Sequence, residues 1–483
     1  MKLIEKFADV VIDSGTYESL DRYYVINKVR ALVGDADTKV TDEKSVKDQL
    51  IDLAVLNQKI EDTITNREIL NDQLMDLVTP TPAKLNREFW DQYKSSPNNA
   101  TNFFYDFCKQ NDYIKVAAIK KNVEFSRQTK YGDLEITINL SKPEKDPKAI
   151  AAAAKSTSDA YPKCQLCMEN EGYLGRLGYP ARSNHRIIRM EVGGAEWGFQ
   201  YSPYAYFNEH CIFLDSKHEP MKIDRQTINN LIQIEQTFPE YFVGSNADLP
   251  IVGGSMLAHE HYQGGRHVFP MMKADIKTPL SFDEFPAVTA GVVNWPMTDL
   301  RLTSSDTQQL TNLAEKIMNA WKNYSDQSVE VVAYTKDGTR HHTVTPIMHR
   351  DGDQYVLDLV LRDNNTSSKY PNGIFHPHDE VAHIKKENIG LIEVMGRAIL
   401  PARLKTEMQE VKQYWLKQDN HIADYHRPWA DEVADRRSIT ADNVDSVMES
   451  EVADVFAEVL ENAGVFKNDD NGQQALAKFI KTI

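Results

Sequence analysis

The chain has 483 residues, of which 41% are hydrophobic and 26% are charged. These fractions are typical of a globular protein, and the length predicts roughly two to four domains. Its 71 acidic and 55 basic residues give a formal net charge of -16. That excess argues against a general nucleic-acid-binding or membrane-surface protein, because both need a basic face. A local basic pocket for phosphate groups is still compatible with it.

The N-terminal segment MKLIEKFADVVID does not read as a signal peptide, because acidic residues interrupt it early and no apolar core follows. The sequence has no apolar run of about 18 residues, so no transmembrane helix is predicted. The four cysteines of the chain are Cys108, Cys164, Cys167 and Cys211. With no export signal, a disulfide framework is not expected in a chain of this length. We therefore expect a cytoplasmic protein that binds neither nucleic acid nor membrane.

Residues 1 to about 128 read as mostly helical. In the stretch SVKDQLIDLAVLNQKIEDTI, the apolar residues near one helical face are Leu50, Leu53, Leu56 and Ile60. The run TPTP at 79–82 breaks this pattern. Next, DLEITINL alternates apolar and polar residues from 133 to 140, which predicts a half-buried strand. The following SKPEKDPK, at 141–148, reads as a solvated loop.

From 161 to about 270 the chain is rich in Tyr, Gly, His and Cys, with the strand-like HCIFL and the helix TINNLIQIEQTF. Further on, the helix TQQLTNLAEKIMNAW precedes the predicted strands VEVVAY and QYVLDLVLR. The C-terminal end is again helical, with apolar residues at helical spacing from Val452 to Leu460, and Asn462 or Gly464 is expected to end this helix. Because strands and helices interleave irregularly, the pattern favours an α+β fold.

Three polar residues are spaced two apart in the segment GGSMLAHEHYQGGRHVF. On an extended chain His259, His261 and Gln263 project from one face, while Glu260 and Tyr262 point away. The flanking glycines permit close approach of the backbone to a ligand or unusual dihedral angles; they are Gly253, Gly254, Gly264 and Gly265. The spacing predicts one polar site on a strand. The alternative is that these are ordinary structural histidines.

A neutral imidazole can attack phosphorus and form a phosphoramidate, which divides one difficult transfer into two easier steps. The attacking nitrogen must be unprotonated, so the other ring nitrogen must give its proton to an acceptor such as a backbone carbonyl. Gln263 can donate a hydrogen bond to a phosphate oxygen without titrating. We therefore interpret His261 as a nucleophile. A glutamine in place of a third histidine suits an intermediate that waits for a second substrate rather than for water.

Cys164 and Cys167 are separated by two residues. Two thiolates at this spacing can bind one Zn²⁺, which takes about four nitrogen or sulfur ligands in a tetrahedron. The candidates for the other two positions are His218 and His259, with His210 and Cys211 as competitors. A site with four protein ligands leaves no position for water, so the ion would be structural. The alternative is a redox-active or simply buried cysteine pair.

In their order, these residues resemble a known family. Cys164-x-x-Cys167, then His218, then His259-x-His261-x-Gln263 is similar to the pattern of galactose-1-phosphate uridylyltransferases, members of the histidine-triad superfamily. The approach to the motif, FVGSNADLPIVGGS, is similar too. The length and the helical N-terminal region look more like the second, bacterial type. The resemblance implies an α+β fold of two histidine-triad-like halves, with a helical N-terminal extension and a helical C-terminal tail.

On this basis we expect four regions. They are a mostly helical N-terminal region at 1–140, a catalytic half with the metal site at 141–280, a second half at 281–410 and a helical tail at 411–483. The family resemblance also implies a homodimer that exchanges UMP between UDP-glucose or UDP-galactose and hexose 1-phosphates.

The resemblance further implies roles for single residues. His261 would carry the uridylyl group, and Gln263 would bind the α-phosphate. The remaining nucleotide-site residues would be Asn246, Gly254 and Ser255, and a structural zinc would be held by Cys164, Cys167, His218 and His259. Guanidinium groups suit phosphate, so the candidates for the sugar phosphate are Arg176, Arg397 and Arg403, with Arg182 and Arg186 as further ones. The alternative for each is a solvated or ion-paired arginine.

The sequence also departs from the family pattern. Glu260 stands where the best-known form has proline, and the spacing from Ser255 to His259 is one residue longer, which puts the role of Ser255 in question. No counterpart of the family's sugar-phosphate glutamine is identified in IGLIEVMGRAILPARL. In the second half, His376-Pro377-His378 is followed by Asp-Glu instead of x-Gln. We interpret it as a loop, or at most as an auxiliary metal site.

The same residues are compatible with two other functions. One is a nucleotide phosphorylase or hydrolase of the same superfamily, for which water or inorganic phosphate would be the acceptor. The other is a non-catalytic, zinc-stapled binding module, in which His261 would be dispensable. The sequence alone does not select the hexose or the metal.

Overall fold

The computed structural model describes residues 1–141, 161–176, 178–254 and 256–483. The helices are α1 (Leu3–Asp13), α2 (Arg22–Val33), α3 (Val46–Leu56), α4 (Ile64–Asp76), α5 (Pro82–Tyr93), α6 (Pro97–Gln110), α7 (Val116–Ile119), α8 (Arg225–Thr237), α9 (Thr307–Asn323), α10 (Leu391–Val394), α11 (Arg403–Trp415), α12 (Arg427–Arg436), α13 (Val444–Ala463) and α14 (Asp470–Ile480). The strands are β1 (Val123–Thr129), β2 (Gly132–Ile138), β3 (Ile188–Val192), β4 (Ala195–Tyr201), β5 (Cys211–Asp215), β6 (Phe242–Gly244), β7 (His261–Gly265), β8 (Ile276–Leu280), β9 (Thr289–Val293), β10 (Asp299–Ser304), β11 (His342–Asp351), β12 (Gln354–Asp363) and β13 (Arg397–Leu400).

The larger sheet has ten strands in the order β3-β4-β5-β7-β6-β11-β12-β10-β9-β8. Read inward from either edge, this is one arrangement repeated: three consecutive strands, then the fifth, then the fourth. A long helix, α8 or α9, connects the third strand to the fourth in each repeat. The repeats join where β6 pairs with β11. The predicted α+β class and the division into two related halves are confirmed.

Buried clusters cover both faces of this sheet. On one face, apolar side chains of α5, α6, α8, α9 and α14 pack against the strands, with the fully buried Phe199 and Phe213 in the same cluster. On the other face lie the small sheet β1-β2-β13 and the helices α10 to α13. A third cluster joins α1 to α4. Each fully buried side chain of this size stabilises the fold by roughly 1.5–3 kcal/mol.

Local sequence signals account for several element boundaries. Pro82 is at the first turn of α5, where its missing N–H is not needed, so the break predicted at 79–82 is confirmed. Asp224 accepts hydrogen bonds from the first amides of α8, and Asp306 does the same for α9. Helix α13 ends at Ala463, with Gly464 as its cap, as predicted.

The structure differs from the predicted elements in three places. The helix expected over 45–64 ends at Leu56, because the Asn57 side chain donates to the carbonyl of Val33 and Gln58 has a positive φ of 56°. Leu56, expected on the apolar face, is 74% exposed. VEVVAY, at 329–334, is not a strand: it makes isolated bridges beyond a tight turn. The predicted strand at 133–140 ends at Ile138, short of Leu140.

The loop predicted at 141–148 lies, apart from Ser141, outside the described residues. The four-region division of the chain stays a prediction. Among the described helices, none combines the length and apolarity needed to cross a membrane.

Candidate active site and metal site

His261 and Gln263 lie on β7, a central strand between β5 and β6. The intervening Tyr262 points to the opposite face, as the spacing predicted. There its ring stacks on Trp197 with a centroid distance of 5.0 Å, and its hydroxyl accepts a hydrogen bond from Asn230 of α8. Packing of Tyr262 against this helix therefore fixes which face of β7 presents His261 and Gln263.

The ring of His261 is buried, and its Nδ1 lies 2.8 Å from the carbonyl oxygen of His259. A carbonyl only accepts hydrogen bonds, so Nδ1 carries the proton and Nε2 keeps its lone pair. Burial lowers the pKa of His261 to about 4, although the hydrogen bond to the His259 carbonyl raises it. The imidazole is therefore neutral near pH 7, and Nε2 is the nitrogen that can act as a nucleophile.

Gln263 is half-buried, and its Oε1 lies 3.0 Å from Nε2 of His210. His210 and Cys211, the competing candidates for metal ligands, are both absent from the metal-binding group among the described residues. Cys211 is instead opposite Gly264 in the β5–β7 pairing. The position of His210 depends on how β5 and β7 pair, which residue spacing alone does not give.

The predicted metal ligands come together at one point. The ligand atoms of Cys164, Cys167, His218 and His259 lie within 4.8 Å of one another. The two sulfur atoms are 3.5 Å apart, and each lies 3.2 Å from a histidine Nδ1. A tetrahedral ion with bonds of about 2.3 Å to sulfur and 2.0 Å to nitrogen holds its ligand atoms roughly 3.5 Å apart. The donor set and its spacing fit one four-coordinate metal ion.

Hydrogen bonds around this group aim the ligands at the metal position. Nε2 of His259 lies 2.8 Å from the carbonyl of Asp215, so it carries the proton and leaves Nδ1 free to bind a metal. Asn170 donates to the carbonyls of both Cys164 and Cys167, at 2.8 Å each, which holds the turn between them. His259 and His261 thus lie two residues apart on one stretch of chain, the first in the metal-binding group and the second on β7.

Two of the predicted nucleotide residues, Asn246 and Gly254, lie close together at the junction of the two halves. Asn246, directly after β6, is buried, and its Oδ1 accepts a hydrogen bond from the amide of Leu391 in the second half at 2.9 Å. A Cβ at Gly254 would lie 2.7 Å from Nδ2 of Asn246, so a larger residue here would have to displace the Asn246 amide. Ser255 lies outside the described residues.

Gly264 and Gly265 allow close packing of neighbouring backbone. A Cβ at Gly264 would lie 2.7 Å from the carbonyl of Phe242, and one at Gly265 would lie 2.6 Å from the carbonyl of Glu209. Gly265 also has a positive φ of 148°. These glycines thus tighten the fit of β7 between its neighbours.

Arg397 and Arg403 are both ion-paired. Arg397 is buried and binds Glu135 at 2.9 Å and Glu124 at 3.2 Å. Arg403 pairs with Glu407 on the next turn of α11. The glutamate partners agree with the alternative interpretation of these two arginines.

The other arginine candidates are engaged as well. Arg176 lies over the ring of Tyr179, with a distance of 4.6 Å to the centroid, and donates to the carbonyl of Tyr161. Arg186 is buried and bound to Asp76 at 2.7 Å, while Arg182 donates to its neighbour's carbonyl. In the part of the chain that the structure describes, none of the five arginines is hydrogen-bonded to His261 or Gln263.

His376 and His378 lie in a loop before a short turn. Nε2 of His376 is 3.1 Å from the amide oxygen of Asn388, and Nε2 of His378 is 2.9 Å from the carbonyl of Ile374. Across the described residues, the only group suited to hold a metal is the one that contains Cys164 and Cys167. The loop interpretation is confirmed, and the auxiliary metal site is not supported.

Comparison with known proteins identifies the family. Residues 15–220 match the model of the galactose-1-phosphate uridyl transferase N-terminal domain, and residues 234–431 match that of the C-terminal domain. The chain is thus a member of a two-domain enzyme family whose models cover both halves of the sheet. It belongs to the galactose-1-phosphate uridylyltransferases, as the motif order predicted.

Relatives match over the full length. The chain is 63% identical to a galactose-1-phosphate uridylyltransferase of Lactobacillus helveticus, over 100% of this chain and 99% of the relative. It is 62% identical to one of Pediococcus pentosaceus, over 100% of both chains. Among solved structures, yeast Ap4A phosphorylase Apa2 shares 12% identity and a TM-score of 0.35, over 63% of this chain and 91% of that one. A likeness that weak bears on neither fold nor function.

Proposed function

We propose that this enzyme transfers a uridylyl group from UDP-glucose to galactose 1-phosphate through a covalent intermediate on Nε2 of His261. One observation carries the proposal: a buried imidazole is held neutral, with its Nδ1 proton given to a backbone carbonyl and Nε2 left as the lone-pair nitrogen. The substrate class follows from the galactose-1-phosphate uridylyltransferases that match this chain over its full length.

In the first step, the Nε2 lone pair of His261 attacks the α-phosphorus of UDP-glucose. A phosphorus–nitrogen bond forms, the bond from the α-phosphorus to the bridging oxygen breaks, and glucose 1-phosphate leaves with that electron pair. The ring gains positive charge as the bond forms, and the carbonyl of His259 on Nδ1–H stabilises it. In the second step, a phosphate oxygen of galactose 1-phosphate attacks the same phosphorus, and the imidazole leaves.

Gln263 is two residues further along the same strand face. Its amide NH₂ group would donate to a non-bridging oxygen of the α-phosphate, where negative charge accumulates during each transfer. Because an amide does not titrate, this donor is present in both steps. It also cannot supply a proton to activate release to water.

We assign zinc to the four-ligand group, on the basis of its two thiolates, two imidazoles and closed coordination. When bound, the ion would link three segments of the chain and hold His259 at the start of β7. His259 in turn supplies the carbonyl that binds Nδ1 of His261. The metal role is therefore one of support, at one remove from the reacting phosphorus.

The nucleotide would lie against the junction of the two halves. Asn246 and Gly254 are in contact there, and Gly254 lies close to the motif in sequence. We retain Ser255 in this site as a proposal on sequence grounds. Roles for Arg176, Arg397 and Arg403 in binding the sugar phosphate need a change of partners, because each is bonded within the protein. The cytoplasmic location and the homodimer stay predictions.

The test is incubation with UDP-glucose followed by intact mass measurement. We expect an added mass of one UMP, which galactose 1-phosphate removes and water does not. His261→Ala should show no adduct, whereas His421→Ala, which changes an exposed histidine, should behave as wild type. Discharge by water or inorganic phosphate alone would instead indicate a hydrolase or phosphorylase. A wild-type protein that gains no mass on incubation with UDP-glucose would contradict the proposal.

A further inference from the structure

We propose that His210 is a positioning residue that holds the Gln263 amide with its NH₂ group turned toward the α-phosphate. The inference rests on the proposed uridylyl transfer and deepens it. A glutamine amide has two ends of similar shape, and only the NH₂ end can donate to a phosphate oxygen. Some group must therefore hold the carbonyl end, and His210 lies 3.0 Å from that oxygen.

The surroundings of His210 decide which of its nitrogens carries the proton. Its ring is buried, and its Nδ1 has no hydrogen-bond partner within the described ranges, whereas Nε2 faces Oε1 of Gln263. A buried N–H without a partner is more costly than a lone pair without one. The proton is therefore on Nε2 and is donated to Oε1, which leaves the Gln263 NH₂ group for the substrate.

The neutral state of His210 is favoured by the same surroundings. Burial, and after it the positive charge of Arg397, lower the pKa of His210 to about 4, although the bond to Gln263 raises it. The rings of Phe207 and Tyr206 enclose the imidazole, with centroids 4.6 and 5.6 Å away. His210 therefore stays a neutral donor over the range in which the enzyme is expected to work.

The backbone fixes the direction of the ring. The amide of His210 donates to the carbonyl of Phe207 at 3.2 Å, and its carbonyl accepts from the amide of Ser202 at 2.8 Å. The residue before it, Glu209, has a positive φ of 56°, which is unfavourable for a residue with a side chain. Such strain persists when surrounding contacts over-determine it, and it is concentrated at functional sites.

Both the carboxylate and the backbone carbonyl of Glu209 make contacts that hold it in this conformation. Its carboxylate accepts a hydrogen bond from the hydroxyl of Tyr241 and pairs with Arg266 at 3.3 Å. Gly265 of β7 leaves room for the Glu209 carbonyl, which a Cβ would approach to 2.6 Å. The turn before β5 is therefore built to deliver His210 to the strand that carries Gln263.

A matched pair of variants tests the proposal. In His210→Gln the side-chain NH₂ group reaches the place of Nε2, whereas in His210→Asn it is one methylene too short. We expect His210→Asn to slow formation of the uridylyl adduct about ten- to a hundredfold, with a smaller change in the KM for UDP-glucose, and His210→Gln to recover most of the rate. Rates come from single-turnover quenching and mass measurement per folded molecule.

A double-mutant comparison separates positioning from a merely structural role. In a Gln263→Ala background, His210→Asn should cause no further loss of rate, because the amide it holds is gone. If the two losses multiply, or if His210→Asn reacts at the wild-type rate while wild type forms the adduct, the inference is wrong and the proposed function stands. If wild type forms no adduct at all, the proposed function fails first.

Discussion

The two halves of the ten-stranded sheet share one topology but use it differently. In the first half, β7 presents His261 and a half-buried Gln263 on one face. In the second half, the corresponding strand β12 has Asp358 and Arg362, and both are buried. Asp358 is bound by Arg301 at 2.6 Å, while Arg362 donates to the carbonyl of Ile389. The same strand order therefore carries the proposed catalytic pair in one half and internal ion pairs and hydrogen bonds in the other, so function follows from residues rather than topology.

In the second half, the buried charged side chains are bonded to one another and to backbone carbonyls. Arg301 also donates to the carbonyls of Ala274 and Met271, which lie in the segment that crosses this face. Burial, together with the charge of Asp358, raises the pKa of the neighbouring Asp299 well above its usual range. Ionisation of Asp299 is thus disfavoured beside Asp358, whose carboxylate pairs with the guanidinium of Arg301. The first half has neutral histidines in the comparable place.

The largest expected difference between the halves is in activity. His261→Ala should reduce uridylyl transfer by at least about 10⁴-fold, because the covalent step has no other nucleophile. The free energy of unfolding should change by much less, which a denaturant titration would show. Transfer at an undiminished rate in this variant would remove the distinction between the halves.

The reverse effect is expected in the second half. Arg301→Met leaves Asp358 buried without its partner, which should lower the free energy of unfolding by about 3–5 kcal/mol. Adduct formation per folded molecule should stay close to wild type. Stability would be measured by denaturant unfolding and adduct by intact mass; a selective loss of the adduct with normal stability would mean that the second half takes part in the reaction.

Loss of a metal ligand should loosen the first half only. Cys164→Ser is expected to lower metal affinity about a hundredfold, measured as metal bound per chain after dialysis against a chelator. Amide hydrogen exchange should speed up in β7 while β12 stays protected. The buried Cys108, which is not a predicted ligand, offers a matched control as Cys108→Ser. Equal loosening of both strands would contradict a local metal role.

A smaller effect is expected on the stability of the first half at low pH. The pKa of His210 is about 4 in the folded chain and about 6.5 when unfolded. Below pH 6.5 the unfolded chain therefore binds a proton that the folded chain does not, so stability falls as the pH falls toward 4. Between pH 7 and 5 the loss from this residue is about 2 kcal/mol. His210→Gln should lack that loss in denaturant titrations, whereas His421→Gln, at an exposed site, should keep it.

The sequence predicted the site best where one short segment carries it. His261 and Gln263 share β7 and His259 lies two residues before it, so the spacing alone indicated one face for His261 and Gln263, and the Cys and His types indicated the metal-binding group. The bond from His210 to Gln263 was missed because it depends on the pairing of β5 with β7. An antiparallel alignment of HCIFL with HYQGG would have been the only available signal.

Other features that the sequence did not indicate also depend on non-local contacts. Arg397, suggested for phosphate, is bound by Glu135, which lies far away in the chain. VEVVAY has the apolar residues of a strand, but only isolated bridges form there, so β propensity was overridden by its surroundings. The order of helices and strands was predicted well, because periodicity is local.

The junction between the halves has a consequence for how the protein can be divided. β6 and β11 share a short register, in which Gly244 is opposite Ile347 and Val243 is opposite Met348. The next residues extend this seam, since the amide of Ser245 donates to the carbonyl of Pro346 and Asn246 accepts from Leu391. A fragment that ends before β8 would keep the nucleophile but lose the partner that orients Asn246. Although the strand order divides into two repeats, each half therefore depends on contacts with the other.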